Sequence, residues 1–256
     1  MVEVDSAMNE KDVVLMNKFL NEVSGKENGH RVLLSVKYNQ ICKINLILLR
    51  ALISEQGKHG LFVTVDRPHQ YMTYLLDLHK IPKDDLLFLD IISRFSGESS
   101  KACDTDANTA SPFRISELLD LLENGGGGRD QRTAKIDFGL LDFVMIDNLG
   151  AMLSYNELDD VAAFIQKYLR LVERYGRLFT AIVIDVRAQP ELYKAVQGLC
   201  QMEFLVTDDG NLMYLTPPAE CDEPEKKMDE IAESVLLFTP DNHRFGNSYP
   251  RPAGGA

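Results

Sequence analysis

Five short stretches of this chain are apolar at nearly every position: "RVLLSV" (31–36), "LFVTV" (61–65), "LLFLDII" (86–92), "FVMIDNL" (143–149) and "FTAIVIDV" (179–186). A strand with one wet face alternates apolar and polar side chains, so runs without alternation predict strands covered on both faces. Helical spacing separates them. The expected helices cover 41–56, stopped by Gly57, then 68–79, 157–175 and 190–199. In the third of these, Leu158, Val161, Ile165, Leu169 and Val172 fall on one stripe, away from Glu157, Asp160, Lys167 and Arg170. Strands alternating with helices pair in parallel through right-handed crossovers. The expected fold class is therefore α/β, a three-layer α/β/α arrangement with a mostly parallel central sheet. Two short strands, 203–207 and 211–215, flank "DDGN" and predict a C-terminal β-hairpin.

Ahead of this pattern, Val13, Met16, Leu20 and Val23 recur at helical spacing and predict a helix over 8–23. The expected organisation is an N-terminal helix in 1–29, an α/β domain in 30–216, and an acidic, partly disordered tail in 217–256. Two insertions are expected to be flexible. The first, 93–112, is polar and rich in small residues, and the second, 124–135, contains four consecutive glycines. A further helix is expected between them, from Phe113 to Glu123.

Charge narrows the function. The formal net charge is −12, so the average surface repels polyphosphate and anionic lipid, and no basic patch overrides it. Nucleic acid is not an expected partner, since Arg129 and Arg132 in the glycine-rich stretch are the one basic pair that suggests it. The cysteines, Cys42, Cys103, Cys200 and Cys221, lack C-x-x-C spacing. His30, His59, His69, His79 and His243 lack ligand spacing, so no metal site is expected. No apolar run approaches the roughly 20 residues that cross a bilayer, and Met1–Asp5 do not begin a secretory signal. The expected localisation is cytoplasmic, without membrane contact.

In a parallel sheet, ligands sit beyond the carboxyl ends of the strands. The positions to inspect are thus Val36–Lys43, Asp66, Asp90, Asp147–Asn148 and Asp185–Arg187. Four of the five carry an aspartate. Aspartate also ends strands and caps the helices that follow for purely structural reasons.

The strand and helix around Lys43, "GLFVTVDRP", "DDLLFLDII", "DFVMIDNLGAML" and "FTAIVIDVRAQPELYKAVQGLCQMEFLVTDDGNLMYL" together resemble the RecA-like P-loop ATPases. The resemblance is closest to their KaiC-like and archaeal Rad55-like branch and spans about residues 30–216. It implies that Lys43 is the lysine of the phosphate loop G-x-x-x-x-G-K-[ST], with Lys37 and Cys42 at the glycine positions and Ile44 at the Ser/Thr position. Lost glycines close the backbone conformations that wrap phosphates, and isoleucine offers magnesium no oxygen. Ile44 is expected to turn into the core, with the 36–43 turn filled by side chains. The resemblance also implies Asp147 as the Walker B aspartate, Asp66 at the position of the residue that activates water, and Arg187 at that of the γ-phosphate sensor. These are the candidate residues of a vestigial nucleotide site. They lead to a degenerate domain that does not hydrolyse ATP, expects no cofactor, and acts as a regulatory or scaffold protein through contacts with an active paralogue or with itself. The alternatives are an atypical ATPase using Lys43 and Asp147 with magnesium-ATP, and a DNA recombination accessory protein.

Overall fold

The computed structural model describes residues 8–23, 29–92, 107–109, 115 and 136–216. Eight strands form one sheet: β1 (Arg31–Ser35), β2 (Gly60–Thr64), β3 (Leu86–Asp90), β4 (Ala107–Thr109), β5 (Phe143–Ile146), β6 (Phe179–Ile184), β7 (Met202–Val206) and β8 (Leu212–Thr216). Their spatial order is β4-β3-β2-β5-β6-β1-β7-β8. Every neighbouring pair is parallel except β7 and β8, the hairpin that the sequence predicts.

Helices cover both faces. They are α1 (Glu10–Val23), α2 (Ile41–Leu49), α3 (His69–Leu78), α4 (Leu158–Arg174) and α5 (Pro190–Val196). On one face Phe19, Ile44, Leu48, Met72 and Leu76 pack against Val32, Leu34, Phe62, Phe88 and Val183. On the other, Val161, Phe164, Ile165 and Leu192 pack against Leu33, Leu61, Val63, Val144 and Ile182. Successive strand residues thus feed opposite cores, which is why the runs had to be apolar throughout.

Several details differ from the sequence expectation. The stripe that α1 buries is Leu15, Met16, Phe19 and Val23, while Val13 is 37% exposed. Phe19 decides the rotation: its ring meets that of Phe179 edge-on at 6.3 Å, burying more area than the smaller side chains would. The helix expected over 41–56 continues past α2 as a π-helical segment, Arg50–Glu55. The short strand β4 lies inside the stretch expected to be an exposed excursion, paired with the end of β3. The helix expected to reach residue 199 ends at Val196, because the buried Glu203 accepts from the Gly198 amide at 2.6 Å and from the Tyr193 hydroxyl at 3.0 Å. Gly198 takes φ +76° there, a conformation that favours glycine. Apart from Ile115, the expected helix 113–123 lies outside the described residues, as do the glycine-rich stretch with Arg129 and Arg132, the tail 217–256, Cys103, Cys221 and His243. No helix among the described residues is long and apolar enough to cross a membrane.

From β1 the chain crosses to β2 on one side, and from β6 it crosses over β1 to β7 on the other. Right-handed crossovers running in opposite directions open a crevice at the carboxyl ends of β1 and β6. The candidate site lies there.

Candidate functional site

The segment after β1 forms a tight turn, Tyr38–Gln40, that leads directly into α2. Its backbone lies in ordinary regions: Lys37 has φ −57°, Gln40 −107° and Ile41 −51°. Residues with side chains adopt these values without strain, so the turn needs no glycine. Three amides here are also committed. Gln40 N–H donates to the Lys37 carbonyl at 2.8 Å, and Ile41 N–H donates to the Tyr38 carbonyl. Tyr38 N–H donates across the crevice to Asp185 Oδ2 at 2.8 Å.

Asp185, one residue beyond β6, also receives the amides of Arg187 at 3.0 Å and Ala188 at 3.2 Å on Oδ1. One carboxylate therefore closes the β6 turn and ties it to the β1 turn. Two more strand-end aspartates repeat this pattern. Asp147 follows β5 and accepts from Val65 N–H at 2.8 Å and Asp66 N–H at 3.4 Å, both beyond β2. Asp90 ends β3 and accepts the His69 amide at 2.8 Å, while His69 Nδ1 stands 2.7 Å from the same oxygen. Each carboxylate caps the loop of a neighbouring strand or the start of a helix, where loop amides and the helix dipole favour negative charge.

Burial sets the electrostatics of Asp147. At 3% exposure its carboxyl loses hydration, and this pushes its pKa up to about 7 against the pull of the Val65 and Asp66 amides. The charge of Asp66 adds to the rise. Asp66 itself sits at the rim, with Tyr38 Oη 3.3 Å from Oδ1 and Arg67 Nε 3.8 Å from Oδ2. The Asp66 charge, with burial, raises the Tyr38 phenol. Arg67 lies over the Tyr71 ring, 5.0 Å from its centroid. Cys42 is half-buried beneath them, and desolvation pushes its thiol up.

The structure places the four sequence candidates as follows. Lys43 Nζ is 2.5 Å from Asp12 Oδ1 on α1, on the helix side of the turn. Asp66 and Asp147 come together across the ends of β2 and β5. Arg187 is exposed, with its amide on Asp185. Ile44, at the Ser/Thr position, is buried in the core. Lys37 pairs with Asp208 of the hairpin turn. Among the described residues no group of three or more His, Cys, Asp or Glu side chains is placed to hold a metal ion.

Two participants, Asp12 and Asn45, were not picked out from the sequence, and Tyr38 lay inside the segment Val36–Lys43 without being singled out. Asn45 had a signal, as a polar residue inside the apolar run "INLILL". Its side chain is 2% exposed, and Nδ2 donates to the Asp147 carbonyl at 3.1 Å. Asp12 and Tyr38 act through contacts far apart in sequence, and no local pattern marks them.

No protein-family model and no curated protein matches this chain. Among solved structures, the chain is similar to the flagellar accessory protein FlaH from Methanocaldococcus jannaschii. That match has 10% identity and a TM-score of 0.47 over 75% of this chain and 80% of that one. It is also similar to a KaiC-like protein from the hyperthermophilic archaeon Pyrococcus horikoshii, with 13% identity and a TM-score of 0.45 over 70% of this chain and 71% of that one.

Proposed function

We propose that this chain is a RecA/KaiC-like α/β protein that neither binds ATP tightly nor hydrolyses it, and that it acts through protein contacts as a regulatory or scaffold subunit. One observation carries the reading: Asp185 takes the Tyr38 amide that would otherwise face an anion in the crevice. The remaining features agree with it. The turn contains no positive-φ residue that would fan its amides toward a polyphosphate. Lys43 is engaged by Asp12. The partly exposed carboxylates of Asp66 and Asp185 flank the turn, so a triphosphate approaching it meets like charge.

Contact surface is available nearby. Tyr71, Tyr74 and Leu78 are 41%, 62% and 45% exposed along the outer side of α3, and Tyr38 is 56% exposed at the crevice mouth. Apolar surface of this kind at the end of a sheet suits a protein partner, either an active paralogue or a second copy.

Calorimetric titration of the purified chain with magnesium-ATP tests the nucleotide half. The expected result is no saturable heat at micromolar concentrations. Saturable micromolar binding that disappears in Lys43→Ala would establish the atypical ATPase in its place. A Tyr71→Ser, Tyr74→Ser double variant tests the contact half. It is expected to keep its melting temperature and lose association, whether light scattering detects self-association or a partner co-purifies. Unchanged association would remove α3 from the account.

A further inference from the structure

Beyond the question of nucleotide, a second set of polar groups lies wholly inside the protein, beneath α2 and α3. Asn45 Oδ1, Thr64 Oγ1 and His69 Nε2 are each buried without a hydrogen-bond partner. Their residues are 2%, 0% and 7% exposed. A buried polar atom left unsatisfied is costly, and native interiors rarely contain three close together.

Strand register places them side by side. Thr64 stands opposite Asp90 of β3, the residue that His69 Nδ1 contacts at 2.7 Å. On its other flank β2 pairs with β5, where Val63 stands opposite Ile146, so Thr64 is level with Asp147, whose carbonyl Asn45 reaches at 3.1 Å. Thr64 and Asp90 follow Phe62 and Phe88 by two residues, so all four side chains point to the face that α2 and α3 cover. The unsatisfied atoms thus form a row above β3, β2 and β5. Adjacent strands lie about 4.8 Å apart, a span that one water bridges with two ordinary hydrogen bonds.

The chemistry selects the occupant. Asn45 Oδ1 can only accept, because Nδ2 of the same amide is already donating. The Thr64 hydroxyl can donate and accept. With His69 Nδ1 directed at the Asp90 carboxylate, Nε2 is the ring atom still to be satisfied. Only a ligand that both donates and accepts meets all three. An anion has no proton for Asn45, and a buried cation bears a large desolvation cost. We propose that Asn45, Thr64 and His69 form an internal binding site for one or two ordered water molecules, which join the start of α3 to α2 across the end of β2.

Thr64→Val gives a decisive sign, because valine matches threonine in shape and removes only the hydroxyl. If the site holds water, the variant strands that water and its partners, and the melting temperature falls by about 2–6 °C. Thr64→Ser, which keeps the hydroxyl, is expected to lose less. If the site is dry, Thr64→Val removes an unsatisfied hydroxyl and the melting temperature stays level or rises, which overturns the proposal. A high-resolution crystal structure of the unmodified chain supplies a test that does not depend on any variant folding. Ordered water bonded to at least two of the three atoms supports the site, and only carbon atoms against them refutes it. A melting temperature that falls on treatment with EDTA would assign the site to a cation and also refute it.

Discussion

The Tyr38 amide and the Asp185 carboxylate meet at 2.8 Å across the ends of β1 and β6 and draw the two turns at the crevice together. Asp185 is only partly buried, so water compensates some of any loss there. Charge-assisted bonds to amides are nevertheless stronger than neutral ones. Asp185→Ala removes the acceptor for three amides and is expected to cost about 1–3 kcal/mol in urea denaturation. Asp185→Asn keeps one acceptor oxygen and is expected to recover part of this. If the alanine variant matches the parent within about 0.3 kcal/mol, the contact does not hold the turns.

Asp147 gives stability a pH dependence of unusual sign. Its carboxyl titrates near 7 in the folded protein, raised from 3.8. Between those values the native state holds a proton that the unfolded chain has released, so stability falls as pH rises. The favourable contribution is complete below about pH 4 and lost above about pH 7, a change on the order of 3–5 kcal/mol for this group. Asp147→Asn carries no titrating proton and is expected to flatten the slope of unfolding free energy between pH 4.5 and 7.5. Its amide also turns a donor toward the Asp66 N–H, so the variant is expected to be the less stable protein near pH 4.5. Parallel slopes for parent and variant would show that Asp147 titrates outside this window.

The layers of this fold were legible because burial on both sheet faces leaves a local trace: each of the five runs from "RVLLSV" to "FTAIVIDV" is one strand. Strand order leaves none, and neither does β4, three residues long within a polar stretch. The site was legible only in position. Asp66, Asp90, Asp147 and Asp185 stand at strand ends as the sequence indicated, yet the amides from other segments that Asp90, Asp147 and Asp185 accept lie 21 to 147 residues away in the chain. Lys43 was visible as a lysine at the start of a helix. That it faces Asp12 depends on how α1 packs, which Phe19 fixes through a contact with β6.

Asp12 and Lys43 form a testable pair. Asp12 is largely enclosed, with 13% of its side chain exposed, while Lys43 is 52% exposed. An exposed lysine limits the coupling, which a double-mutant cycle with alanine is expected to place at about 0.5–1 kcal/mol. Asp12→Ala is expected to leave the affinity for magnesium-ATP as weak as before, since freeing Lys43 restores neither the turn's glycines nor a hydroxyl at Ile44. Micromolar affinity in Asp12→Ala would mean that the pair, and not the turn, keeps nucleotide out.

Gly60 opens β2 with no side chain, and the Phe143 ring of neighbouring β5 occupies the space where its Cβ would stand. Gly60 and Phe143 are register partners, and the Phe143 ring is fully buried. The clash cannot be relieved by a flexible chain end, because all three nearest atoms belong to that rigid ring. Gly60→Ala is therefore expected to destabilise by about 1–3 kcal/mol through overpacking, although alanine suits a strand no worse than glycine. The double variant Gly60→Ala, Phe143→Leu separates the clash from a backbone effect. Leucine withdraws the ring atoms that meet the new methyl group, so alanine should cost less beside leucine than beside phenylalanine. Equal costs in both backgrounds would show that the ring is not what excludes a side chain at position 60.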